Sequence, residues 1–199
     1  MKSPTYPRSR IDAVVADVEL APSIRIMPKR HAGTPLGTAP GASRFCSRDC
    51  GFTLLYAAPH FSTALIEVVL RDRFTRKTGR EIHLKEITER SWAGITSLPG
   101  ATLRVLDLRE DGCVRLGAPT DAIRARNHAA GRALGRAIHA EHRDVDGFLF
   151  SSRLTGADVY AIFDRAVGKL RVEEMGNLAD HPDLPAVFTR FEIGLIVLR

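Results

Sequence analysis

Residues 52–74 read FTLLYAAPHFSTALIEVVLRDRF, and this stretch sets the expected fold class. The run from Phe52 to Ala58 is short and apolar, as suits a buried strand. Residues 59–63 (PHFST) then turn the chain, and Ser62 or Thr63 is placed to cap a helix reaching about Phe74. Working outward, strands are expected at 19–27, 81–87, 103–108, 147–152, 158–163, 169–172 and 193–198. The longest helix is expected at 120–142, with a further turn or two at 184–191. Strands and helices are interspersed without regular βαβ spacing. That predicts an α+β protein with a mixed, largely antiparallel β core and flanking helices.

The chain has 199 residues, enough for one domain that buries a sizeable core without staples. Residues 1–18 read as an N-terminal extension, and 19–199 as the main domain. Hydrophobic residues make up 44% and charged residues 26%, which excludes a mainly disordered chain. No run approaches the roughly 20 apolar residues of a membrane span, and the polar, proline-broken start has no signal-like segment. Three cysteines fit a reducing compartment better than a disulfide framework, so a cytoplasmic location is expected. The net charge of +6 suits nucleic acid, an acidic protein or a phosphorylated small substrate.

Several motifs are absent. No G-x-G-x-x-G follows a strand, and no P-loop or G-x-S-x-G elbow occurs. His139-x-x-His142 and Cys46-x-x-x-Cys50 each lack a second ligand pair, so no metal is expected. Glu67 is surrounded by Leu65, Ile66, Val68, Val69 and Leu70, which puts a carboxylate at a pocket edge or pairs it with Arg71 at i+4. Arg25 and Arg44 flank a Pro-, Gly- and Thr-rich loop at 27–42. They can grip a pyrophosphate, or they are two solvated arginines among 29 basic residues. Ser151, Ser152 and Arg153 end the apolar strand GFLF, lining a site or opening a turn. Arg124, His128, Arg132 and Arg136 form a basic stripe on the long helix, either solvated or facing nucleic acid.

In order, these pieces resemble the RES-domain family, named for an arginine, a glutamate and a serine. Ser43-Arg44-Phe45, Leu55-Tyr56-Ala57 and Ala64-Leu65-Ile66-Glu67 are similar to its first block. Residues 146–153 (DGFLFSSR) are similar to its D-G-[I/L]-x-Y-x-S-R element, with Phe150 in place of the usual tyrosine. Leu106-Asp107-Leu108 and Leu116-Gly117 match the run toward its long helix. The resemblance covers residues 19 to the C-terminus.

It implies an ADP-ribosyltransferase-like fold that binds NAD as substrate and uses no metal. It also implies a toxin paired with an Xre-type antitoxin, depleting NAD by hydrolysis or phosphorolysis, with no direct DNA or membrane binding by this chain. Some members instead transfer ADP-ribose to a protein. The implied roles are Glu67 at the ribose, and Arg25 and Arg44 on pyrophosphate or an incoming phosphate. Tyr56 would stack on nicotinamide or the ribose, and Ser152 would bond the nicotinamide amide or ribose. The different-class alternative is a basic module that binds nucleic acid through the 124–136 stripe.

Overall fold

The computed structural model describes residues 4–197. Its strands are β1 Val15–Val18, β2 Ser23–Pro28, β3 Leu54–Ala57, β4 Glu81–His83, β5 Arg90–Ser97, β6 Leu103–Asp107, β7 Gly147–Ser151, β8 Asp158–Phe163, β9 Leu170–Asn177 and β10 Gly194–Ile196. The helices are α1 Arg8–Asp12, α2 Phe61–Leu65, α3 Lys85–Thr88, α4 Gly112–Leu116, α5 Asp121–Arg124, α6 Ala129–Glu141 and α7 Leu184–Arg190. The main sheet runs β1-β6-β7-β8-β3, a second β2-β5-β9, and a two-stranded piece pairs β10 with β4. Within the first two sheets only β6–β7 is a parallel pair, which gives the mixed, largely antiparallel α+β core expected from the sequence.

Alternation along β7 explains the layering, because successive side chains of a strand point to opposite faces. Phe148 and Phe150 join Phe45, Leu134 and Ile138 in the core under α6. Leu149 joins Leu55, Ile162, Ala93 and Ile95 in the core against β5 of the second sheet. The main sheet is thus covered on both faces, and β7 is buried almost throughout, as its apolar sequence requires.

Among the described residues, one backbone bridge joins the two sheets. Ile24 of β2 and Ala58, just past β3, form an antiparallel bridge with N–H···O distances of 2.7 and 3.0 Å.

Four expectations change. Residues 4–18, expected as an extension, supply α1 and β1; Ile11 and Val14 are buried, and β1 pairs with β6. The helix after β3 starts at Phe61 without a side-chain cap from Ser62 or Thr63. It widens into a π-helical turn, Ile66–Leu70, and stops at Arg71, whose φ is +50°. The expected 81–87 strand is only β4, followed by α3. The expected 120–142 helix breaks at 125–128, where Ala125 is extended and the Asn127 side chain accepts the Ala129 N–H at 2.9 Å.

The cysteine count pointed away from disulfides, yet Cys46 and Cys50 form one, leaving Cys113 free and buried. The last two residues of the expected 193–198 strand differ in status: Val197 lies past β10, and Leu198 is outside the described residues. No helix among the described residues is long and apolar enough to cross a membrane.

Gly131 and Gly135 let α6 carry the Arg44–Phe45 backbone directly. A Cβ at either position would overlap a carbonyl oxygen, that of Arg44 or Phe45 respectively. Gly135→Ala is therefore expected to destabilise the protein by about 1–3 kcal/mol through overpacking. The test is urea unfolding, in which the midpoint should fall at unchanged slope; an unchanged midpoint would show that the seat is loose.

Candidate active site

The cleft lies where the two sheets meet. Its volume is about 560 Å³, within the roughly 300–1,000 Å³ of small-molecule sites. β2 supplies Arg25, β3 supplies Tyr56, the π-helical turn supplies Glu67, and the segment seated on α6 supplies Arg44. Four of the five side chains singled out in the sequence therefore line one cavity. The fifth, Ser152, is buried directly behind Glu67.

Glu67 is not the surface partner of Arg71. Arg71 Nε donates to the Glu67 carbonyl at 3.0 Å, and among the described residues the carboxylate makes no ion pair within 4.0 Å. Instead Ser152 Oγ donates to Glu67 Oε1 at 2.5 Å. The same Oγ accepts the N–H groups of Leu154 and Thr155, each at 3.1 Å. A hydroxyl has one proton to give. Ser152 commits it to the carboxylate, so Ser152 orients Glu67. This differs from the expected direct contact with nicotinamide or ribose. The π-helical turn matters here because the extra residue per turn swings the side chain out of the helical register; such turns concentrate at functional sites.

Arg25 is held at one end only. Its Nη2 donates to the Gly37 carbonyl at 2.6 Å, while Nη1 is buried without a partner. Burial pulls its pKa down to about 10, still well above neutrality, so the guanidinium keeps its charge. A buried, charged donor with an empty hydrogen-bonding position is costly unless an anion fills it.

Arg44 donates Nη1 to the Ala125 carbonyl at 3.1 Å, so the helix break before α6 anchors it. Burial lowers its pKa, and the nearby Glu67 carboxylate works the other way. Tyr56 fixes the same segment: its hydroxyl donates to Ser43 Oγ at 2.9 Å and accepts the Phe45 N–H at 3.4 Å. Burial pushes the phenol up to about 12, so it stays protonated. The hydroxyl is thus spent on structure, and the ring is what lines the cleft.

The cleft also holds Arg153, which the sequence placed at the end of a strand that could line a site, and further side chains to which the sequence reading gave no place in the site. Arg71, Arg126, His128 and Arg153 line it, with Asp72 between Arg153 (2.5 Å) and Arg126 (3.7 Å). The signal for His128 was masked by the assumption of one continuous helix. The basic stripe is not continuous: Arg124 belongs to α5, His128 faces the cleft, and Arg132 Nε donates to the Ser43 carbonyl at 3.1 Å. Among the described residues, no three His, Cys, Asp or Glu side chains gather as a metal site.

A family model described as the RES domain matches residues 23–186. The chain belongs to the RES-domain family. This RES chain is 37% identical over 115 residues to a protein named probable toxin y4kH from Sinorhizobium fredii (strain NBRC 101917 / NGR234), covering 57% of this chain and 89% of that protein. It is similar in fold to the crystal structure of the M. tuberculosis MbcT–MbcA toxin–antitoxin complex, with a TM-score of 0.64 at 20% identity, covering 91% of this chain and 93% of that one. At that identity the likeness concerns the fold alone.

Three imidazoles give the site and its surroundings a pH signature. His128, His139 and His181 all have pKa values pulled below the usual 6.5, with burial the largest cause in each. As pH falls through 6.5 the unfolded chain takes up these protons before the folded one, so stability drops with pH in that window. The lowered carboxylates act only at more acid pH. The urea midpoint should be lower at about pH 5.5 than at about pH 8; an equal or higher midpoint at the lower pH would contradict these burial-driven shifts.

Proposed function

We propose that this RES chain cleaves the nicotinamide–ribose bond of NAD and acts as the toxin of a toxin–antitoxin pair. The observation that carries the reading is the Glu67 carboxylate. It stands on the cleft wall free of an ion pair and aimed by Ser152, in a cavity where Arg25 keeps an unfilled donor.

Breaking the bond sends its electron pair to the pyridinium nitrogen, so nicotinamide leaves neutral and the positive charge passes to the ribose. A fixed carboxylate close to that carbon stabilises the oxocarbenium-like transition state more than the ground state. Glu67 takes this role, and its second oxygen, Oε2, can accept a ribose hydroxyl. Arg25 Nη1 and Arg44 bind the pyrophosphate. The Tyr56 ring forms an apolar wall for nicotinamide or the ribose. No strong general acid is needed for a neutral leaving group. Water adding to the ribose carbon loses a proton and gives ADP-ribose. Inorganic phosphate adding there gives a phosphorylated ADP-ribose, and the arginines around Asp72 offer it a cationic approach.

The toxin role and an antitoxin partner are supported by the names of the relatives, one a probable toxin and the other solved as a toxin–antitoxin complex. The partner expected from the family resemblance is of Xre type, and the expected location is the cytoplasm. A nucleic-acid module gains nothing from the geometry, because Arg132 is engaged inside the molecule and the stripe is broken.

Purified protein incubated with NAD should release nicotinamide, and Glu67→Gln should lower the rate by about 10²–10³ while leaving thermal stability near that of the parent. Release that rises with phosphate identifies the nucleophile as phosphate. Label retained on a protein band identifies an ADP-ribosyltransferase. No release in any buffer, or a fully active Glu67→Gln, would overturn the reading.

A further inference from the structure

A second pocket of about 620 Å³ lies on the other side of Pro28, the one residue that lines both cavities. It is formed by the 3₁₀ turn Lys29–His31 after β2 and by residues around β4, α3 and the start of β5. The Lys29 N–H donates to the Glu89 carbonyl at 2.7 Å, and Pro28 pairs with Arg90 across the β2–β5 ladder, so the walls are fixed by backbone. Pro28 is the only lining residue without a polar side chain.

The charges do not cancel inside the pocket. Both Glu86 oxygens are held by Arg73, which holds its carboxyl below the usual range, and Arg90 adds to the same effect. Glu89 pairs with Lys85 at 3.2 Å on the exposed rim. Among the described residues, Lys29, Arg30 and Arg90 remain as cations without a carboxylate in bonding contact. Moreover, Arg90 Nε and His83 Nδ1 are buried and have no hydrogen-bond partner. The lining is thus net cationic, and the unpartnered nitrogens of His83 and Arg90 leave hydrogen-bonding capacity unspent beside the cavity, a combination that favours an anion.

We propose that this pocket is a second binding site for a phosphate-bearing small molecule, recognised through its phosphates. The size exceeds that of a lone ion and fits a molecule of nucleotide size. Pro28 and the aliphatic stems of the long basic side chains supply its apolar surface, and their cationic heads supply the preference for phosphates. This site is separate from the NAD cleft and does not depend on the reading of that cleft.

The test is a titration of the full-length, ¹⁵N-labelled protein with inorganic pyrophosphate, followed by amide and arginine Nε spectra. Two sets of shifts are expected, one at Arg25 and Arg44 and one at His83, Lys85 and Arg90. Arg90→Gln should weaken the second set at least tenfold and leave the first in place. The double variant Lys29→Gln, Arg30→Gln alters only an exposed turn and should do the same, which guards against a folding defect in Arg90→Gln. Shifts confined to the cleft set would overturn the proposal, as would a second set that neither variant weakens.

Discussion

The Ile24–Ala58 bridge is the contact on which the cleft depends. Two backbone hydrogen bonds of 2.7 and 3.0 Å tie the second sheet to the end of β3. One residue along from Ile24 stands Arg25; two residues back from Ala58 stands Tyr56. The chain then turns into the short helix that ends in the Glu67 turn. Arg25 on the second sheet and Glu67 on the turn that follows β3 of the main sheet thus meet in one cavity beside this junction. Few backbone bonds form it, so the main cores on either face of β7 must hold the sheets in place.

A second constraint is electrostatic. The cleft gathers Arg25, Arg44, Arg71, Arg126 and Arg153 around two carboxylates: Asp72 pairs with Arg153 and Arg126, whereas Glu67 makes no ion pair among the described residues. Left to itself, Glu67 would swing to an arginine. The short bond from Ser152, itself fixed by two backbone N–H groups, holds the carboxylate in place. The same logic applies to Arg44, seated over Gly131 and Gly135 and tied to Ala125, while Tyr56 and Arg132 grip Ser43 beside it. The charged groups of the cleft are therefore held in fixed positions by hydrogen bonds from neighbouring side chains and backbone.

The strands with clean apolar patterns were legible in the sequence. β6, β7, β8 and α7 fall within a residue or two of their expected limits. β5 was not, because Ser91, Gly94, Thr96 and Ser97 interrupt the pattern in a strand that pairs on both sides. The helix break at 125–128 was also hidden: its cause is tertiary, the Arg44 bond to Ala125, together with the local cap from Asn127. The grouping of Arg25, Arg44, Tyr56, Glu67 and Ser152 came from the resemblance to the RES family, since each residue taken alone has an ordinary structural reading. The division of labour among them did not, since nothing local tells that Ser152 and the Tyr56 hydroxyl face inward to support the groups that line the cleft.

The most direct measurement is a crystal structure of the Glu67→Gln protein with intact NAD. The account predicts a pyrophosphate oxygen on Arg25 Nη1 and the nicotinamide ribose against residue 67, with Ser152 still bonded to that side chain. NAD bound outside the cleft, or bound with its nicotinamide ribose away from residue 67, would contradict it.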